Sequence, residues 1–153
     1  IDNKFMQIVG VDNNEDNLLN SNHGAYKRVI ENDRFDLKKQ SFIFLLLDGG
    51  LKWNKKIFDH ISSEEFSYLT KIAMGMVEKT KIKNPLLEKT INCLNEPFDL
   101  VSCQFAVHYF FQNMDTLDAF CYNVDKHLKI DGFEFGPVRN FQENHDEKVG
   151  FWR

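Results

Sequence analysis

Two patterns of apolar residues alternate along this chain. One consists of continuous apolar runs, and the other has apolar residues at helical spacing. The apolar runs, which predict strands covered on both faces, lie at residues 5–12, 41–47 and 98–104. The helical patterns, with apolar residues three and four apart, lie at residues 18–30, 64–76 and 115–128. Strands that alternate with helices predict an α/β fold with a parallel sheet.

Breaks and caps refine this order. A polar stretch at residues 20–24 interrupts the first helical pattern, and a capping box over residues 62–65 opens the second. Asn113 or Asp115 caps the third helix, whose predicted apolar face consists of Leu117, Phe120, Cys121, Val124 and Leu128.

Towards its end the chain gives weaker signals. Gly132 predicts a turn before a fourth strand from Phe133. Beyond it, residues 134–153 indicate no clear element, although residues 136–137 and 140–147 are typical of loop. Between the second and third strands, residues 51–97 indicate connection rather than chemistry, with a break at Pro85 and a short helix over residues 86–94.

Size and composition are those of a single globular domain. A chain of 153 residues buries about two thirds of its unfolded surface, and the hydrophobic share of 42% argues against general disorder. No apolar run reaches the roughly 18–20 residues that span a bilayer, and the first residues lack signal-peptide features. Three cysteines without CxxC spacing predict buried free thiols in a reducing compartment, with no disulfide or metal role.

The formal net charge of −4 opposes nonspecific binding to duplex nucleic acid, which needs a broad basic face. A small basic patch could still receive one RNA end. The pairs Lys27-Arg28 and Lys38-Lys39 are candidates, although an ordinary solvated surface is the favoured interpretation of both.

Polar side chains follow each of the three predicted strands. Asp12, Asp48 and Gln104 would meet at one rim, because ligands of open parallel sheets bind beyond the carboxyl ends of the strands. Asp12 would accept hydrogen bonds from two ribose hydroxyls. Asp48 would accept a hydrogen bond from the exocyclic amine of an adenine, which Gly49 and Gly50 allow to come close to the backbone. The alternatives are a helix-capping or turn acid at Asp12 and a simple Asp-Gly turn at Asp48.

The cofactor that these side chains predict is S-adenosylmethionine. Ribose and adenine contacts without a phosphate cradle favour it over a dinucleotide. The sequence contains neither GxGxxG nor GxxxxGK[ST], the turns that bind phosphate in dinucleotide and P-loop proteins.

An aromatic block follows the third strand directly. Phe105, His108 and Tyr109 come just after Gln104, where rings could stack on a flat heterocycle. Core packing is the ordinary alternative for such residues, and we expect Phe110 and Phe111 to take that role.

The stretch FDLVSCQFAVHYFF at residues 98–111 resembles the FDxxSCQFxxHYxF signature of mRNA cap guanine-N7 methyltransferases, most closely those in the capping enzymes of large DNA viruses. Two further segments are similar to the family: residues 24–28 match its G-A/C-x-x-R-Y segment in part, and residues 127–133 resemble its L-K-P-G-G turn, with Ile130 and Asp131 in place of Pro and Gly. The resemblance is strongest in residues 5–50 and 98–133.

This resemblance implies a fold and a set of site residues. The fold would be a class I, Rossmann-like methyltransferase sheet within one domain over residues 1–153. Asp12 would contact the cofactor ribose, and Asp48 and Gln104 would lie along its adenine and methionine side. The residues that would contact the cap guanosine are Phe105, His108 and Tyr109. Transfer to N7 needs alignment rather than a general base, so no residue is assigned as acid or base.

The chain departs from the family pattern in two places. The glycine-rich first motif, which would precede Ile1, is not in this sequence, and no motif identifies the acid that reads the guanine edge. We therefore expect the sequence to be an internal piece of a longer enzyme, with a sheet incomplete at its N-terminal side.

The resemblance also implies partners and a location. The substrate would be the 5′ end of capped RNA, and guanylyltransferase or triphosphatase domains or another capping subunit are candidate partners; no membrane association is expected. A viral factory or virion in the cytoplasm, or the nucleus, would be the location.

Three other functions stay open at this point. One is a class I methyltransferase with another substrate, and another is a catalytically silent methyltransferase-like subunit that stimulates a partner. A purely structural α/β domain is the third. The missing first motif favours the silent subunit, whereas the intact block from Gln104 to Tyr109 favours the enzyme.

Overall fold

The computed structural model describes residues 5–103, 106–129 and 148–152. The strands are β1 (Gln7–Asp12), β2 (Ser41–Leu46), β3 (Leu100–Cys103) and β4 (Lys148–Trp152). The α-helices are α1 (Glu15–Leu19), α2 (Ala25–Ile30), α3 (Glu64–Ala73) and α4 (Met114–His127). Four 3-10 helices cover Lys55–His60, Lys79–Lys81, Pro85–Thr90 and Val107–Gln112.

The four strands form one parallel sheet in the order β2-β1-β4-β3. This confirms the predicted α/β fold with a parallel sheet, because strands and helices alternate along the chain. β4 lies between β1 and β3, so the middle of the sheet contains a strand from the far end of the described chain. β4 was not predicted, because the sequence of residues 134–153 indicates no clear element, and the strand predicted from Phe133 falls outside the described residues.

Apolar side chains cover both faces of the sheet, which explains why the strands show no alternation. The larger core contains Val9, Val11, Ile43, Leu45 and Val101. On the opposite face Phe44 and Leu46 pack with Leu18, Ala25 and Phe66 of the flanking helices.

Side-chain caps fix where the helices begin. The N-cap of α3 is Ser63, the second residue of the predicted capping box, and its hydroxyl accepts a hydrogen bond from the Phe66 backbone N–H at 3.3 Å. At α4 the cap is Asn113 rather than Asp115, since the Asn113 side chain accepts from the Thr116 N–H at 2.9 Å. The predicted interruption between α1 and α2 is confirmed, and a Cβ at Gly24 would lie only 2.6 Å from the Asn20 backbone.

Two expectations about packing need correction. Phe111 is 65% exposed, whereas Phe110 is buried as expected and stacks on Phe120 with ring centroids 4.4 Å apart. Cys121 is exposed although it was placed on the apolar face of α4, because that face turns instead through Asn123 and His127, which are both buried. The short helix predicted over residues 86–94 is a 3-10 helix at Pro85–Thr90.

Within the described ranges, the helices are all too short or too polar to cross a bilayer. In the same ranges, His, Cys, Asp and Glu side chains form no cluster that could hold a metal ion.

Burial of His127 predicts that acid destabilises the fold. Its pKa is lowered, chiefly because burial disfavours the imidazolium and further because Lys126 is nearby, although a hydrogen bond to the Asn123 carbonyl opposes this. The unfolded chain therefore takes up a proton near pH 6.5 while the folded chain does not. We expect this contribution to stability to be complete above pH 6.5 and to be lost as the pH falls below it, by at most about 1.4 kcal/mol per pH unit.

Urea unfolding of the unaltered protein and of His127→Phe between pH 7.5 and 5.5 measures this effect. Phenylalanine keeps a ring beside Trp53, whose ring centroid lies 5.2 Å from that of His127, but it cannot titrate. The free energy of unfolding should fall less steeply with acidification in His127→Phe. Equal slopes would show that His127 titrates alike in the folded and unfolded states.

Candidate active site

A cleft of about 610 Å³ opens at the carboxyl ends of β1 and β2. This size lies within the usual range for a site that binds a small molecule or cofactor. Its lining comes from the segments that follow β1, β2 and β3, and consists of Asp12, Asn13, Asn14, Asn17, Leu47, Asp48, Gly49, Gly50, Ala106, Tyr109, Phe110, Gln112 and Thr116.

Asp12 is the buried acid of this cleft, with 5% of its surface exposed. Its Oδ1 accepts hydrogen bonds from the Asn14 backbone N–H at 2.9 Å and from Asn17 Nδ2 at 3.1 Å. Its Oδ2 is 3.2 Å from the same Asn17 nitrogen. Asp12 thus has the turn role that was its alternative, and because a carboxylate offers about four acceptor positions it can also accept hydrogen bonds from a ligand.

Asp48 occupies the equivalent position after β2. Its Oδ1 accepts from the Gly50 N–H at 2.7 Å, which forms the predicted Asp-Gly turn. Within the described part of the chain no group donates to Oδ2. A Cβ at Gly50 would lie 3.2 Å from Asp48 Oδ1 and 3.4 Å from Thr116, so glycine leaves this wall of the cleft open to a ligand.

Tyr109 provides an exposed aromatic wall of the same cleft. It follows β3 in the 3-10 helix Val107–Gln112 and is 59% exposed. The exposed His108 does not line the cleft, but its ring packs against Tyr109 with centroids 4.0 Å apart and planes at 39°. The two rings are therefore available to a ligand, whereas Phe110 beneath them belongs to the core.

The structure thus brings Asp12, Asp48 and Tyr109 together on one cleft, with His108 next to it. Gln104 and Phe105 lie outside the described residues, and their roles stay predictions. Cys103, at the end of β3, is not an activated nucleophile, because burial raises the pKa of its thiol to about 11.

Sequence reasoning missed two amides that hold the acids in place. Asn17 contacts both carboxylate oxygens of Asp12, but within a run of polar residues it looked like part of a turn. Asn123 bonds the backbone that follows Asp48. The sequence did contain a signal for Asn123, because an amide among the apolar residues of one helix face needs buried hydrogen-bond partners.

The profile of the mRNA (guanine-N(7))-methyltransferase domain family matches residues 55–145, which is more than half of the chain. The chain belongs to this family. The matched range contains the block from Gln104 to Tyr109 and begins after Asp12 and Asp48. The family match therefore does not include the two acids. They are associated with the matched region because they line the same cleft as Tyr109.

A curated relative supports the same assignment over a short range. The chain is similar to an mRNA cap guanine-N(7) methyltransferase of Caenorhabditis briggsae, with 49% identity over 45 residues. These residues are 29% of this chain and 12% of the relative, so the chain matches only a small part of that protein's length. No solved structure matches. The specific resemblance to enzymes of large DNA viruses stays a prediction.

Proposed function

We propose that this chain carries the cofactor and cap-binding cleft of an S-adenosylmethionine-dependent mRNA (guanine-N7)-methyltransferase. The observation that carries the proposal is the shared cleft of Asp12, Asp48 and Tyr109 in a member of the cap-methyltransferase family. Two acids and an exposed ring in one cleft suit a nucleoside cofactor beside a purine substrate.

The acidic wall fits the adenosyl group of the cofactor. Asp12 keeps acceptor positions for the vicinal ribose hydroxyls, and a charged bidentate acceptor suits such a pair. Asp48 Oδ2 is available for the exocyclic amine of adenine beside Gly49 and Gly50. The cofactor supplies the methyl group when it is bound.

The aromatic wall suits the guanine of the cap. Tyr109, supported by the ring of His108, offers a face on which a base can stack, which is worth about 1–3 kcal/mol per base. Once methylated at N7 the guanine is a cation, and an aromatic face attracts a cation further. Phe105 would complete this wall and Gln104 the cofactor side.

Alignment is then the main task of these residues. Guanine N7 has a free lone pair at neutral pH, so no group on the protein has to remove a proton. The residues on both walls contribute by fixing two ligands in line, an effect that can lower a barrier by roughly 7–11 kcal/mol at best. Cys103 has no covalent role in this scheme, because its thiol stays protonated at neutral pH.

The same proposal includes the fold and the domain. All pairings in the sheet are parallel, and the cleft lies at carboxyl ends of its strands, as in class I methyltransferases. We infer a class I, Rossmann-like domain over residues 1–153. Its substrate would be the 5′ end of capped RNA, with other capping domains as partners, in a reducing intracellular compartment.

Methyl transfer by the natural full-length protein tests this function. GpppG-ended RNA, free GTP and a panel of small methyl acceptors would be compared with a labelled methyl donor, and the position of the label on guanine would be determined. We expect label at N7 of capped RNA and at least tenfold less on GTP, because the aromatic wall is only one part of cap recognition. Transfer to a small acceptor without cap preference would contradict the cap assignment.

A further inference from the structure

Asn123 of α4 is fully buried and faces the backbone that follows β2. Its Nδ2 donates to the carbonyl oxygens of Leu51 at 2.7 Å and Gly49 at 3.3 Å. Its Oδ1 accepts from the Trp53 backbone N–H at 2.9 Å. One side chain therefore fixes three backbone groups of a segment that lies 70 to 74 residues earlier in the sequence.

This segment, residues 48–53, also carries the acid that faces the cleft. The Trp53 indole N–H donates to the Asp48 carbonyl oxygen at 3.0 Å, and the Gly50 N–H donates to Asp48 Oδ1 at 2.7 Å. Asn123 and the Asp48 carboxylate are thus connected by a short series of hydrogen bonds through segment 48–53. A change in this segment at Asn123 would therefore alter the surroundings of Asp48.

A buried amide with three partners is expensive to disturb, because backbone groups left without partners in the interior lose their full solvation. Apolar residues would fill the same position on α4 at no such risk, as Phe120 and Val124 do on the same face. Packing alone therefore does not account for an amide here, whereas control of the shape of segment 48–53 does.

We propose that Asn123 is a positioning residue for cofactor binding, which acts by holding Asp48 and Gly49 at the cleft. The inference rests on the proposed function, since it takes Asp48 to be a cofactor contact. Asn123 itself does not line the cleft. Its hydrogen bonds go to the segment that carries Asp48 and not to the one that carries Tyr109. Replacement of Asn123 should therefore weaken binding of the cofactor but not of capped RNA.

The test measures cofactor affinity by calorimetry and the kinetics of methyl transfer to capped RNA in the natural full-length protein. In Asn123→Leu the dissociation constant for S-adenosylmethionine should rise by about tenfold or more, the usual cost of a misplaced supporting group. At saturating cofactor, the KM for capped RNA should stay within about twofold, as expected when the cap wall keeps its geometry.

Gln40→Leu is the matched control. Gln40 is also a buried amide, donating from Nε2 to the Phe5 carbonyl and accepting from the Asp36 N–H, but it lies at the amino end of β2, away from the cleft. This variant should lose thermal stability like Asn123→Leu while it binds the cofactor normally. Asn123→Ala, which removes the amide without introducing a charge and suits a helix, replaces Asn123→Leu if the latter does not fold.

The outcomes are distinct. Weaker cofactor binding in the Asn123 variants, with normal binding in Gln40→Leu, supports the inference. Folded Asn123 variants that bind within twofold of the unaltered protein overturn it and leave the proposed function intact, as does an equal loss in Gln40→Leu. Absence of cofactor binding in the unaltered protein overturns both.

Discussion

Replacing Asp12 by alanine should weaken the binding of S-adenosylmethionine by about 10- to 100-fold, because hydrogen bonds to a charged group contribute about 1.5–3 kcal/mol. The buried carboxylate would lose its contacts with both ribose hydroxyls at once. Methylation of capped RNA should fall by at least as much at limiting cofactor. Calorimetry with the cofactor and initial rates with capped RNA measure the two effects.

Two further variants separate ligand binding from folding. Asp12→Asn keeps an oxygen for the Asn14 N–H and so preserves the local turn, but it removes the charge; we expect an intermediate loss of cofactor affinity. Asp36→Ala is the control: Asp36 is an exposed acid away from the cleft, and its Oδ1 accepts from the Lys38 backbone N–H as Asp12 Oδ1 does from Asn14. This variant should bind the cofactor normally. Unchanged affinity in a folded Asp12→Ala would remove Asp12 from the site.

Replacing Tyr109 by alanine should reduce kcat/KM for capped RNA by about 5- to 100-fold, since the loss of one stacked base costs roughly 1–3 kcal/mol. Cofactor affinity should survive, because Asp12 and Asp48 belong to the ends of β1 and β2, whereas Tyr109 belongs to the 3-10 helix after β3. The opposite patterns of Asp12→Ala and Tyr109→Ala would show that the cleft has two separate binding functions. Steady-state kinetics with varied cap analogue, at saturating cofactor, provide the measurement.

Tyr109→Phe and Tyr68→Ala are the controls for this prediction. Phenylalanine keeps the stacking face and should retain most of the activity. Tyr68 is likewise an exposed tyrosine, but it lies on α3 and does not line the cleft, so its replacement should have little effect. His108→Ala should cause a smaller loss than Tyr109→Ala, because His108 reaches the cleft through the Tyr109 ring. Turnover that is unaffected in Tyr109→Ala would exclude the cap assignment.

The strands and most caps were predictable because they depend on local patterns. Continuous apolar runs gave β1, β2 and β3, and the acids at the ends of β1 and β2 placed two candidate residues on the same cleft. The prediction worked here because parallel strands bring their carboxyl ends to one edge regardless of the detailed packing.

The remaining features depend on contacts that no local pattern contains. β4 forms by pairing on both sides with strands distant in sequence, so its short run of residues gave no independent signal. The exposure of Phe111 and Cys121 depends on the rotation of the 3-10 helix and of α4 about their axes relative to the core. The spacing of apolar residues determines this rotation only approximately. The role of Asn123 required knowing which loop lies opposite α4.

The place of β4 has a consequence for biosynthesis. On the ribosome, β1 and β3 would both be complete long before residues 148–152 emerge, yet each keeps an open hydrogen-bonding edge until that strand arrives between them. Nascent chains with such edges invite pairing with other polypeptides. We therefore expect a polypeptide that stops before residue 148 to aggregate or to require a chaperone.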